Sequence, residues 1–159
     1  MLELILAAPA FLIIMLAIVQ ISLIYVATEQ TAYASRYAAK IASETSSGAI
    51  NVLNTGALKT RVDNVLQVGG LPQGSCRVVL EHNVGAPATI YDPVVALPNC
   101  DCDPPATSLP FVLGAPVNES VRTTVCVPLN GNVPNFLSSF GFSIQDYVVE
   151  QSTTYLYEL

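Results

Sequence analysis

Between Leu4 and Thr28 lie 25 consecutive positions without a charged residue, LILAAPAFLIIMLAIVQISLIYVAT, and no other feature of the 159-residue chain constrains its fold as strongly. A helix rises ~1.5 Å per residue and a hydrocarbon core is ~30 Å thick, so about 20 such residues cross a bilayer. Gln20 and Ser22 are the only strongly polar interruptions, and one carboxylate, Glu3, stands at the entrance. A secretory signal peptide would place basic residues before a shorter apolar core and a small-residue cleavage site after it. Here no Lys or Arg precedes the core, and the chain continues as EQTAYASRYAAKIASE, rich in Ala, with no Gly or Pro until Gly48. One helix from about Leu2 to Ala42 or Ser46 is predicted, ~60 Å long, bent or loosened at Pro9, where a ring replaces an amide donor.

Acidic residues outnumber basic ones 12 to 6. That balance argues against a nucleic-acid binder, which needs clustered basic charge and aromatic platforms. The cysteines, Cys76, Cys100, Cys102 and Cys126, all follow the apolar segment. An even count in a small loop-rich domain predicts two disulfides in an oxidising compartment. A Cys100–Cys102 bridge would close a strained ring, so Cys76 and Cys126 are each expected to pair with one of those two, and both such pairings stay open. Arg36 and Lys40, beyond the apolar segment, conflict with an outward-facing domain under the positive-inside rule. A basic leader removed from before Met1 would resolve the conflict.

Two regions follow from this pattern: residues 1–46, a hydrophobic helix, and residues 47–159, a globular domain. The second region opens with a helix predicted over 55–68, capped at Asn54 or Thr55 and ended by Gly69, with Leu58, Val62, Val65 and Leu66 on one face. From Ser75 the period becomes two. SCRVVLEHN, VRTTVCVPL and DYVVEQSTTYLYEL read as strands, the minimum of three. The Pro-rich stretch from Gly85 to Ser120 reads as a long surface excursion stapled near Cys100 and Cys102, with a short edge strand at Ala88 to Tyr91. Phe136, Leu137 and Phe140 have helical spacing and are expected to cover the core of the sheet.

Catalysis finds little support. Asp101 and Asp103 beside prolines make a turn more readily than a calcium site. Cys-Asp-Cys lacks zinc-knuckle spacing. The single histidine, His82, has no evident Ser or Cys partner and is expected on an exposed strand face. Asn118-Glu-Ser120 fits a glycosylation acceptor, a pattern common by chance. No enzyme activity, metal or cofactor is expected.

The stretch LELILAAPAFLIIMLAIVQISLIYVATEQTAYASRYAAKIAS resembles the start of TadE-like proteins, the pseudopilin family of the tight adherence (Tad) system. ALKTRVDNVLQVGGL resembles their second helix, TVCVPL their penultimate strand and VVEQSTTYLYEL their final one. The family's Glu commonly stands fifth after the cleavage point, whereas here it is Glu3. The resemblance implies a precursor anchored in the inner membrane, cut by a prepilin peptidase and assembled by pilus machinery into an extracellular filament of identical subunits that serves attachment. It also assigns roles. Glu3 would pair with the freed amine of Met1 in a neighbouring copy, the alternative being complementarity to the helix dipole. Leu4, Leu6, Phe11, Leu16, Ile24, Ala34 and Ala38 would pack helix on helix, small residues permitting close approach. Tyr25, Tyr33 and Tyr37 would form an interfacial belt or contacts between subunits. The expected fold is α+β: a long transmembrane and assembly helix, a short second helix and a small antiparallel sheet with two disulfides. The rival reading is a monomeric, single-span anchor presenting a binding module.

Overall fold

The computed structural model of the chain describes residues 2–53, 57–72, 77–84, 90–93, 102, 105, 107, 109 and 119–158. The first helix, α1, runs Leu2–Ser43 and passes through Pro9. Two short helices follow, α2 at Ser47–Leu53 and α3 at Ala57–Val68. Four strands complete the domain: β1 at Arg77–His82, β2 at Ile90–Pro93, β3 at Ser120–Pro128 and β4 at Val148–Leu156. They form one sheet in the order β2-β1-β3-β4, every neighbouring pair antiparallel. Pro93 ends β2 on the sheet edge, where a missing amide donor costs least.

Alternation along β3 divides its side chains between two environments. Val121, Val125 and Val127 point to a core shared with α1 and α3, where Val78 and Leu80 of β1 join Leu58, Val62 and Leu66. The C-terminal half of α1 reaches this core through a stripe of small residues, Ala27, Thr31, Ala34, Ser35, Ala38 and Ala42, all at most 1% exposed. Small side chains let the helix axis sit close to a flat sheet. Ser35 and Thr153 of β4 share a hydroxyl hydrogen bond of 2.8 Å across that seam. Ala34 and Ala38 are therefore reassigned: with no surface left to offer a second copy, they pack the helix onto its own sheet.

Over β1 and β3 the opposite face of the sheet is also covered. Val79, Cys126 and Val148 pack with Cys102, which is joined to Cys126 by a disulfide. Arg77 Nη1 donates to the carbonyl of Cys102 at 3.0 Å. Thus β1 is buried on both faces, with only Arg77 partly open, although its sequence alternates like a half-exposed strand. His82 is buried rather than exposed, at 1%. One disulfide rather than two is seen among the described residues; Cys76 and Cys100 lie outside them.

Two glycines close α3, each for a different reason. Gly70, at φ 87°, takes the left-handed position; its amide donates to the Gln67 carbonyl, and Leu71 donates to Leu66, both at 3.0 Å. Gly69, the predicted stop, directly follows the last helical residue, Val68, and also faces α1: a Cβ there would stand 2.2 Å from Gln30 Oε1. The predicted caps, Asn54 and Thr55, lie outside the described residues.

The β3–β4 connection differs from its expected form. Only a three-residue 3₁₀ turn, Ser138–Phe140, forms where helical spacing had placed Phe136, Leu137 and Phe140 over the core. Phe136 and Phe140 are 43% and 54% exposed, and Leu129, Val133 and Ile144 are the buried residues instead. Pro134 before the segment and Gly141, at φ 84°, after it leave room for only about one turn.

The tail after β4 is tied to the end of α1. Tyr157 Oη donates to the Thr45 carbonyl and Glu158 N to the Ser43 carbonyl. Burial, and then the nearby Glu119 carboxylate, raise the Tyr157 pKa above the ordinary 10.0. The folded state holds this proton more tightly than the unfolded chain, so its stabilisation is complete below pH 10.0 and is lost as pH rises through the raised value. Thermal melts in an alkaline series are expected to decline above that pH, and Tyr157→Phe to flatten the decline.

Candidate functional site: the bare half of α1

Burial along α1 changes at Gln20. C-terminal to it one face of the helix is covered by the sheet; N-terminal to it most of the described apolar side chains project uncovered. Phe11 is 65% exposed, Leu12 55%, Ile14 58% and Ile18 55%, and Ile21 just beyond is 65% exposed. Leu16 and Ile24 are half-buried, and Ile24 leans on the core of the domain. Glu3, Leu4 and Leu6 belong to the helix, but their side chains, and Met1 as a whole, lie outside the described residues. The stretch Ala7–Ser43 is long and apolar enough to cross a membrane.

Internal bonding handles the polar residues of the segment differently. Ser22 Oγ donates back to the Ile18 carbonyl at 2.8 Å, which satisfies the hydroxyl without leaving the helix. Gln20 reaches outward: it is 1% exposed, and its Oε1 accepts the Phe136 amide at 2.9 Å. A glutamine isolated among apolar residues was the available signal, but its partner lies 116 residues away and no local pattern names it.

Further along α1, Tyr33 and Tyr37 line an open groove of about 450 Å³ against α3, with Arg61, Val65 and Val68 opposite, while Tyr25 stands exposed below it. Lys40 pairs with Glu44 at 3.5 Å on a solvated face. Asp101, Asp103 and Asn118 lie outside the described residues, and among the described residues no three His, Cys, Asp or Glu side chains converge.

A bare apolar half-helix that continues as the core helix of a small disulfide-bonded α+β head defines a helix-and-head protein able to occupy a bilayer. Residues 1–40 match the family model described as TadE-like protein, a span that holds both the bare half of α1 and most of its small-residue stripe. No curated protein and no solved structure matches the chain.

Proposed function

We propose that the chain is a TadE-like pilin: a structural subunit held in the inner membrane by α1, matured by a prepilin peptidase, and polymerised through that helix by pilus machinery into an extracellular filament for attachment. The supporting observation is the bare half of α1 inside the TadE-like span. In lipid, apolar side chains gain nothing hydrophobic by meeting another helix, so close packing must favour association there. Once the helix leaves lipid the balance changes. Each large apolar side chain fully moved from water into a bundle stabilises it by ~1.5–3 kcal/mol, and a row of them makes dissociation prohibitive.

The rival, a monomeric anchored module, draws support from the buried Ala27–Ala42 stripe. From sequence, a helix extending beyond the bilayer serves no purpose in a lone anchor; in the folded chain that extension is the core of the head. The two readings part at Ile14, which is exposed on the bare half. A photo-crosslinking residue placed there, in cells with the assembly machinery, is expected to yield a ladder of self-crosslinked copies. Crosslinks to lipid alone would favour the anchor.

A further inference from the structure

The β3–β4 connection, residues 129–147, lies at the end of the sheet nearest the bare half of α1. Pairing fixes this direction: Ser120 meets Leu156 at one end and Pro128 meets Val148 at the other. The Leu156 end leads to Tyr157 and Glu158, held beside Thr45 and Ser43, whereas Thr153 lies at the level of Ser35. The strand therefore descends alongside α1 toward its N-terminus, and the connection emerges at Gln20, where the Phe136 amide is bonded.

That bond limits where a bilayer can sit. Irregular backbone exposed to lipid does not occur within the hydrocarbon region, because its polar groups would go unsatisfied. The connection is irregular apart from one 3₁₀ turn, so its level on α1 lies at or outside the hydrocarbon boundary. The embedded part is then Leu2 to Val19, ~27 Å at the helical rise against a ~30 Å core, and not the full uncharged run to Thr28. At this boundary the connection carries exposed Phe136, Phe140 and Phe142, with Asp146 as its one charged residue.

We propose that residues 136–142 form a membrane foot, whose phenylalanines insert into the lipid interface beside α1 and hold the head against the bilayer before assembly. The occupant is lipid because the patch, bonded to Gln20, is continuous with the helix face that the proposed function places in it. With no cation in the connection, insertion is driven by apolar contact and needs no anionic headgroup. The proposal rests on the membrane-held stage of the function proposed above.

The chain contains no Trp, so single reporters can be introduced. Phe140→Trp, Phe11→Trp and Tyr155→Trp would each be made in the full chain and reconstituted in phosphatidylcholine vesicles. Unchanged far-ultraviolet circular dichroism would verify folding. A nitroxide lipid labelled near the headgroup is expected to quench most of the Phe140→Trp emission and little from Tyr155→Trp, on the strand leading away from the boundary. A lipid labelled deep in the acyl chain should quench Phe11→Trp. Quenching at Phe11→Trp without any at Phe140→Trp overturns the foot alone, including the case in which that reporter is shielded only by a second copy as protein density rises. No quenching at either site overturns the foot together with the membrane-held stage.

Discussion

Arg122→Ala should destabilise the head by ~3–5 kcal/mol, because it leaves the Glu81 carboxylate buried without its cation. The pair is directly opposed on β1 and β3, and its side chains are 7% and 6% exposed. Both guanidinium bonds are short: Nε donates to Oε2 at 2.6 Å and Nη2 to Oε1 at 2.9 Å. The remaining donors reach into the excursion, Nη1 to Thr107 Oγ1 at 3.1 Å and Nη2 to the Pro105 carbonyl at 3.2 Å. The arginine thus joins the sheet to its cover beside the Cys102–Cys126 bridge. For a domain of this size the loss corresponds to ~10–20 °C in Tm. Replacing both partners with apolar residues should cost much less, since no charge is then stranded. A double variant as unstable as Arg122→Ala would contradict the explanation.

Glu3→Gln is expected to reduce fibre yield severely while leaving membrane insertion and the head intact. Glu3 lies in the first turn of α1, where a carboxylate also complements the helix dipole. The magnitudes separate the two roles. Loss of dipole complementarity costs ~0.3–1 kcal/mol, whereas stranding a paired charge inside a bundle costs ~3–5 kcal/mol. Glu3→Leu should behave like Glu3→Gln, because in the proposed filament both would leave a neighbour's cation uncompensated. Yield would be measured from cells lacking the wild-type copy, at matched cellular protein levels. Wild-type yield from both variants would leave Glu3 only the dipole role.

The sequence made the local elements legible and concealed the contacts between them. α1 was legible to within a few residues because a long uncharged run and an Ala-rich extension obey one period. The strands were legible because β-branched residues alternate. The destination of Ala34 and Ala38 was not, since a small-residue face serves a helix partner or a sheet equally well. The Glu81–Arg122 pair was hidden because register across 41 residues is a tertiary property. Phe136 and Phe140 misled for a related reason: their spacing fits a helix, but Pro134 and Gly141 leave room for only one turn. The seven-residue α2, Ser47–Leu53, went unseen because a segment that short carries almost no periodic signal.

If α1 builds a polymer, its packing is visible in the fibres themselves. The most direct measurement is electron cryomicroscopy of fibres sheared from cells, with mass spectrometry of their subunit. Fibres composed of this chain are expected, with Phe11 to Ile21 packed against α1 of other copies and the heads outside. Recovery of the chain only as single copies in lipid or detergent, from cells whose fibres consist of another protein, would contradict polymerisation.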